Sequence, residues 1–150
     1  MDLVSIIIPY YKKKKYISTT INSAISQSYK NIEIIIVYDD ENYDDLKLIE
    51  EIKKKDERIR IIKNKKKMGA GLSRNIGISS STGNYIAFLD ADDTWEADKL
   101  SKQMSFMTDN NYLASHTSYQ IVDEYRNIIG NRVARSFLNL EDLLKSCDIG

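Results

Sequence analysis

The sequence is poor in several features that would narrow the class of protein. Its single cysteine, Cys147, excludes an internal disulfide bond and suits a reducing compartment. No apolar run approaches the ~18 residues of a membrane-spanning helix, and the first residues lack the pattern of a secretory signal. Net charge is also absent, because Lys plus Arg and Asp plus Glu both number 22. We therefore expect a cytoplasmic protein that does not bind nucleic acid.

The charged residues that are present include two basic runs, "KKKK" at Lys12–Lys15 and "KNKKK" at Lys63–Lys67. The simplest interpretation is solvated loop charge. The alternative is attraction to phosphates or to an anionic surface, which would allow peripheral association with the inner face of the plasma membrane. The only histidine, His116, has no partner motif and is expected to be structural, and Asp123 and Glu124 are expected to be solvated.

Strand and helix patterns alternate four times in the first two thirds of the chain. Such alternation is typical of an α/β fold with a mostly parallel sheet and helices on both faces. The first strand is expected to end at Pro9, and the fourth is expected to be buried. The predicted strands are Leu3–Ile8, Ile32–Tyr38, Arg58–Ile62 and Tyr85–Leu89, and the predicted helices are Tyr16–Ser28, Tyr43–Asp56, Leu72–Ser80 and Glu96–Thr108.

The pattern changes after Asn110. Two strands joined near Glu124–Asn127 are predicted, and a helix is expected to start at Asn139 and include Cys147. The chain contains no repeat and no Pro- or Ser-rich linker, so residues 1–150 are treated as one domain.

Polar residues follow three of the predicted strands, as "PYYK", "YDDENYDD" and "DADD". Ligands of open parallel sheets bind outside the carboxyl ends of the strands, so these segments are expected to converge on one crevice. Carboxylate oxygens suit Mg²⁺ or Mn²⁺, and a diphosphate would complete the coordination. Both acidic segments have an alternative interpretation: "YDDENYDD" as the first turn of a helix, and "DADD" as the cap of a helix at Glu96.

The segment "NKKKMGAGLSRNIGI" has glycines where a backbone could approach a ligand closely. Arg74, at the start of the helix that follows, could bind a phosphate or a base edge. Its alternative interpretation is an ordinary surface arginine after a loop.

Four motifs together resemble a known family. "VSIIIPYY", "YKNIEIIIVYDD", "GLSRNIGI" and "GNYIAFLDADDTW" occur in the order and spacing of the inverting glycosyltransferases of family 2, which have the Rossmann-like GT-A fold. The resemblance is strong from Leu3 to Leu100 and weaker to Arg135. It implies transfer of a sugar from a nucleotide diphosphate sugar, usually a UDP-sugar, to a glycan or lipid-linked acceptor in bacterial surface polysaccharide synthesis.

The resemblance also assigns roles to residues of the nucleotide site. Pro9 and Tyr11 would line the nucleoside pocket, and Asp39, with Asp40 beside it, would hydrogen-bond the base. Arg74 and Asp90 would contact the nucleotide. The implied ligand of Mn²⁺ or Mg²⁺ is Asp92, and Asp93 is the alternative.

Some features depart from the family pattern. Tyr38 occupies a position where an acid is common, and Lys12 one where Asn is frequent. The carboxylate base of an inverting transfer lies in a later segment of the family, and the "ED" pair at Glu141 and Asp142 comes too early to match it. We therefore expect the 150 residues to be the donor-binding half, with the base beyond Gly150, and to be inactive alone.

Two other functions remain as alternatives. One is a nucleotide-sugar-binding module without catalysis. The other is a nucleotidyltransferase, which would need a Gly-rich loop after the first strand, whereas "PYYKKKK" has no glycine.

Overall fold

The computed structural model describes residues 2–134. The chain divides into two compact units, one reaching Lys102 and the other starting at Gln103. The predicted helix at Asn139, with the pair Glu141 and Asp142, lies outside the described residues.

A four-stranded parallel sheet forms the centre of the first unit, in the strand order β3-β2-β1-β4. This arrangement confirms the predicted α/β class and each of the first seven predicted elements. Their observed bounds are β1 Val4–Tyr10, α1 Lys14–Ile25, β2 Ile32–Tyr38, α2 Tyr43–Lys53, β3 Ile59–Lys63, α3 Ala70–Ser80 and β4 Tyr85–Phe88.

Helices cover both faces of the sheet. On one face, Ile76 of α3 packs against a cluster that includes Ile7 and Val37. The approach is close, because a Cβ atom on Gly77 of α3 would lie 2.4 Å from Cγ2 of Ile7. On the other face, the Tyr10 hydroxyl donates a hydrogen bond from β1 to a carboxylate of α2, and α1 packs beside α2. The central strands β1 and β2 are therefore buried on both sides, as their unbroken apolar runs predict.

The predicted end of β1 at Pro9 is wrong, because the strand continues to Tyr10. The backbone carbonyl of Tyr10 points toward β2 and accepts from the N–H of Asp39. The backbone carbonyl of Ile7 points toward β4 and accepts from the N–H of Leu89. Successive residues of a strand alternate in direction, so Pro9 faces the β4 side, beyond the last registered pair of that ladder. A proline is tolerated there because no ladder hydrogen bond needs its missing N–H.

The expectation that the fourth strand is buried is wrong on one face. Ile86 is 38% exposed and Phe88 is 46% exposed. The strand pairs only with β1 in the described sheet, so its apolar face extends past the part that α3 covers. Composition alone does not distinguish such an edge strand from a central one.

The second unit contains a hairpin. The boundary between the units falls within α4 Lys99–Asn110, and the antiparallel strands β5 Tyr119–Val122 and β6 Ile128–Arg132 follow. Asp123 holds the turn, since one of its oxygens accepts from the N–H of Tyr125 and of Asn127 at 2.8 and 2.9 Å. The two predicted strands are thus confirmed. No helix in the described part of the chain is long and apolar enough to cross a membrane.

Candidate functional site

The segments that follow β1, β2 and β4 lie at one edge of the sheet, because all three strands are parallel. Two of them, with the loop before α3, form a pocket. Three of the predicted nucleoside residues line the pocket, whereas the acids that follow β4 do not, so only part of the expected grouping is found in it. Its lining consists of Pro9, Tyr10, Tyr11, Asp39, Lys67, Gly69, Ala70 and Ser73.

Tyr11 presents an aromatic ring at this pocket, and two lysines lie close to it. The ammonium of Lys67 lies 4.0 Å from the ring centroid, and that of Lys12 lies 5.3 Å from it. Hydrogen bonding with Lys67, and then with Lys12, lowers the pKa of the exposed Tyr11 hydroxyl. The arrangement offers a flat apolar surface with positive charge around it, which suits an anionic aromatic ligand.

Asp39 is 4% exposed and is held by several donors. Its Oδ1 accepts from the Asn64 side chain and the Met68 N–H, and its Oδ2 accepts from the Gly69 N–H, all at 2.7 Å. Burial opposes ionisation of Asp39, but these hydrogen bonds outweigh it, so its pKa is lowered. A carboxylate has about four lone-pair positions, so one on Oδ2 remains for a ligand. Most of the acceptor capacity of Asp39 fixes the loop before α3.

The conformation of Gly69 allows its N–H to donate to Asp39. It is the N-cap of α3 and has a φ of 84°, in the left-handed region where a side chain is strained. Its N–H then points at Asp39 instead of continuing a regular strand. The predicted close backbone approach in the glycine-bearing loop therefore occurs, and its partner is a protein carboxylate.

The carboxylate loop, which we define as residues 90–98, begins with a turn in which the Asp93 N–H donates to the Asp90 carbonyl. Two of its first three acids already face cations. Arg74 lies 2.5 Å from Oδ1 of Asp90, and the Nζ of Lys13 lies 2.6 Å from Oδ2 of Asp92. Partial loss of hydration, with the negative charges of Asp92 and Asp90, raises the pKa of Asp93. The loop is thus a concentration of negative charge that attracts cations.

The acids of this loop fit a divalent ion that is held only partly by protein. Within residues 2–134, no group of three or more His, Cys, Asp or Glu side chains is arranged to hold a metal. Asp92 nevertheless offers an exposed carboxylate that already binds a cationic group. Hard oxygen ligands suit Mg²⁺ or Mn²⁺, and the remaining ligands would be diphosphate or water oxygens.

The later residues of "YDDENYDD" form the first turn of a helix, as the alternative interpretation of that segment predicted. Asn42 caps α2, and its side chain accepts from the N–H groups of Asp44 and Asp45. Asp45 is buried, where it accepts from the Tyr10 hydroxyl at 2.6 Å and pairs with Lys14. These carboxylates stabilise the fold and do not contribute to the pocket.

The corresponding alternative for "DADD" is wrong. The helix begins at Lys99 and not at Glu96, so none of these carboxylates caps it. The segment from Ala91 to Glu96 is held instead by hydrogen bonds from α1 and from the residues just after it. The buried Thr20 hydroxyl donates to the Ala91 carbonyl at 3.0 Å, and the buried Gln27 amide donates to the Glu96 carbonyl at 2.7 Å.

Sequence reasoning missed three residues of the site. Asn64 orients Asp39, Lys67 lies over Tyr11, and Lys13 pairs with Asp92. Both lysines belong to the basic runs that were interpreted as solvated loop charge. The sequence did contain a signal for them. The first run follows the carboxyl end of a central strand, and the second comes just before α3.

Comparisons with known proteins agree with this geometry. A family model described as glycosyl transferase family 2 matches residues 5–146. An Escherichia coli protein named UDP-Glc:alpha-D-GlcNAc-diphosphoundecaprenol beta-1,3-glucosyltransferase WfaP is 42% identical over 149 residues, which make up 99% of this chain and 58% of that protein. The chain spans between about a fifth and about three fifths of the length of the curated relatives that it matches.

Solved structures show the same fold. S. aureus TarS 1-349 in complex with UDP-GlcNAc has a TM-score of 0.66 and 24% identity over 72% of this chain and 32% of that one. The mannosyltransferase PcManGT from Pyrobaculum calidifontis, in complex with GDP-Man and Mn2+, has a TM-score of 0.68 and 17% identity over 84% of this chain and 37% of that one. These likenesses show the GT-A fold alone. Together with the family match, they establish that the chain belongs to glycosyltransferase family 2.

Proposed function

We propose that this chain binds the donor of an inverting glycosyltransferase that uses a UDP-sugar and a divalent metal, Mn²⁺ or Mg²⁺. The acceptor is a glycan or a lipid-linked sugar of bacterial surface polysaccharide synthesis. The E. coli relative supports the donor and acceptor classes, because its name specifies UDP-Glc and a diphosphoundecaprenol-linked sugar. A cytoplasmic site of action, at the inner face of the plasma membrane, is part of the same proposal.

One observation carries the proposal: a pocket with an aromatic wall lies at the same sheet edge as a loop of paired carboxylates and cations. A nucleoside diphosphate has matching parts, since its base can stack on Tyr11 while its diphosphate extends toward the carboxylate loop. Pro9 would form the floor of the base site. The remaining lone pair of Asp39 can accept from the N–H of a uracil ring, whereas a purine offers a different edge.

Charge stabilisation is the main chemical task of such a site. Transfer leaves a diphosphate with additional negative charge, and a bound divalent ion supplies Lewis-acid neutralisation there. Asp92, with Asp93 beside it, would hold that ion. Arg74 would contact the nucleotide while it pairs with Asp90, and Asp90 would accept from a ribose hydroxyl. The structural neighbour PcManGT was solved in complex with Mn²⁺, which supports a divalent metal here.

Calorimetric titration tests the proposal. UDP, GDP and ADP are titrated into the wild-type chain with and without Mn²⁺, and UDP is titrated into the Asp92→Asn variant. We expect UDP to bind best and Mn²⁺ to strengthen its binding by about tenfold or more. The variant should lose this enhancement, because an amide lacks the charge that holds a divalent ion.

Asp98→Asn is the matched control. Asp98 is an exposed acid of the same loop, and it pairs with Lys102 instead of facing the site. Its substitution removes the same charge and should leave the Mn²⁺ enhancement intact. An Asp92 variant that kept the enhancement would refute the metal assignment, and a wild-type preference for GDP or ADP would refute the uracil assignment. Absence of any nucleotide binding would refute the proposed function.

A further inference from the structure

Lys13 occupies an unusual place for a residue of a surface basic run. It is the N-cap of α1, where its carbonyl accepts from the N–H groups of Tyr16 and Ile17 at 2.9 and 3.0 Å. Its backbone is therefore fixed. Its ammonium reaches across to the carboxylate loop and lies 2.6 Å from Oδ2 of Asp92. A cation on a flexible stem thus sits on the carboxylate that the proposed function assigns to the metal.

We propose that Lys13 is an internal counter-ion of the metal site, which yields Asp92 to the divalent ion and then pairs with the diphosphate of the donor. Lys13 would thereby make metal binding depend on the nucleotide. The inference rests on the proposed function for the identity of the diphosphate. Its first step, competition between an ammonium and a metal for Asp92, does not need the nucleotide.

Counting charges explains the direction of the effect. The start of the carboxylate loop brings Asp90, Asp92 and Asp93 together, and Lys13 and Arg74 supply two positive charges. The site is then only weakly negative before any ligand binds. A divalent ion alone would make it positive, whereas an ion that arrives with a diphosphate would not. Without Lys13, the bare ion would meet a more negative site and would not have to displace an ammonium.

The two cations of the site differ in how readily they can be displaced. Arg74 has a planar guanidinium that keeps its geometry at a carboxylate, while a lysine ammonium is a point charge on a stem with four rotatable carbons. The Lys13 side chain is 42% exposed and its partner Asp92 is 38% exposed. Exposed ion pairs of this kind contribute little to stability. Lys13 can therefore leave Asp92 at small cost to the fold.

The test measures Mn²⁺ affinity with and without UDP for wild type, Lys13→Met, Lys13→Arg and Lys15→Met, using electron paramagnetic resonance of free Mn²⁺. In the absence of UDP, Lys13→Met should bind Mn²⁺ about three- to tenfold more tightly than wild type. In its presence, UDP should strengthen Mn²⁺ binding less in this variant than in wild type. The difference should shrink as salt is added, because it is electrostatic.

Two of the variants separate charge from side-chain loss. Lys13→Arg keeps the charge and holds a carboxylate more firmly, so it should bind Mn²⁺ no more tightly than wild type. Lys15→Met removes the same charge two residues along, where the ammonium lies over the Tyr16 ring, and should leave the Mn²⁺ affinity nearly unchanged. Thermal unfolding of each variant, with Lys13→Gln as a polar alternative, shows whether the fold is retained.

Each outcome has a definite meaning. Equal or weaker Mn²⁺ binding by Lys13→Met without UDP would overturn the proposal, as would the same gain in Lys15→Met. If Lys13→Met but not Lys15→Met bound Mn²⁺ more tightly, and the chain bound no UDP, the result would support the competition at Asp92. It would also refute the proposed function. Failure of one proposal is thereby distinguished from failure of the other.

Discussion

At the scale of single residues, the departures from the family pattern have conformational explanations. Lys12 has a φ of 51°, and its N–H donates to Asp40 at 3.0 Å. The left-handed region favours Asn among residues with side chains, so an Asn at this position would suit the backbone conformation. Tyr38 is buried and stacks on Tyr10 with ring centroids 5.1 Å apart. It belongs to the core and not to the pocket.

Glu33 shows a buried acid with a purely structural task. It is 8% exposed, and its carboxylate accepts from the Ser5 hydroxyl, from the N–H and hydroxyl of Thr82, and from Arg60. Burial alone would raise its pKa, but these donors outweigh burial and lower the pKa to about 2. The network joins β1, β2 and β3 to the segment that precedes β4.

The Glu33 network predicts a specific dependence of stability on pH. The folded-state pKa lies below the ordinary value of 4.5, so the stabilisation is fully present above about pH 4.5 and is lost as pH falls toward 2. Since one pKa unit corresponds to about 1.4 kcal/mol, Glu33→Gln should destabilise the chain by roughly 2–3 kcal/mol at pH 7. Urea unfolding at pH 7, 5 and 3 measures the difference, which should narrow at pH 3. A gap that stays constant with pH would contradict the ionic role of Glu33.

At the scale of elements, α1 does more than cover the sheet. Thr20 and Ser23 lie three residues apart on one face of the helix, and Gln27 follows just after the helix ends at Ile25. Each forms a hydrogen bond with the backbone of the segment from Ala91 to Leu100. The helix thus serves as a support for the carboxylate loop.

The helix boundaries show what a local pattern can and cannot predict. The start of α2 at Tyr43 was predicted correctly, because its N-cap and apolar spacing are both local signals. The start of α4 was predicted at Glu96 but lies at Lys99. The cause is distant in sequence, since Gln27 and the Ser28 N–H bind the Glu96 and Ala97 carbonyls. Long-range hydrogen bonds of this kind leave no periodic trace in the sequence.

Gln27→Leu tests the supporting role of α1. Gln27 is fully buried, and its amide satisfies the Glu96 carbonyl and the Leu100 N–H at 2.7 and 3.0 Å. A leucine of similar size would leave both groups unpaired, at about 1–3 kcal/mol each. We expect a loss of roughly 2–4 kcal/mol in unfolding free energy and faster hydrogen exchange in the carboxylate loop.

Ser26→Ala is the control for that substitution. Ser26 is the exposed C-cap of α1, and its hydroxyl donates to the carbonyls of Asn22 and Ser23. It should change stability by less than about 0.5 kcal/mol. Unchanged exchange in the carboxylate loop of a folded Gln27→Leu variant would show that α1 does not hold the loop.

At the scale of the whole molecule, the sheet could be predicted more fully than the site. Hydrophobic runs and their alternation with helices determine the parallel sheet and the edge where ligands bind. They do not determine which acids face a ligand. Asp39 and Asp45 are both buried in the structure, and only Asp39 lines the pocket. That distinction depends on side-chain partners such as Asn64 and Tyr10, which the strand pattern does not specify.

The residues of the proposed donor site all belong to the first of the two compact units. Every residue assigned to the nucleotide or the metal lies before Lys102. An inverting transfer also needs a base for the acceptor hydroxyl, and loss of a positioned base typically lowers the rate by ~10²–10⁴-fold. Loss of acceptor positioning lowers it further, because the reaction becomes bimolecular. None of the residues assigned in the first unit acts as this base or positions the acceptor.

We therefore predict that the 150-residue chain binds UDP with Mn²⁺ but transfers no sugar at a measurable rate. Incubation with several UDP-sugars, Mn²⁺ and a panel of glycan and lipid-diphosphate acceptors, followed by measurement of released UDP and of product, tests this expectation. Asp92→Asn is the control, since any UDP release that it retains is independent of the metal site. Rapid acceptor-dependent turnover by the wild-type chain would contradict the prediction. It would place a base within these residues, and substitution of His116, Asp123 and Glu124, which lie in the second unit, would then be the way to find it.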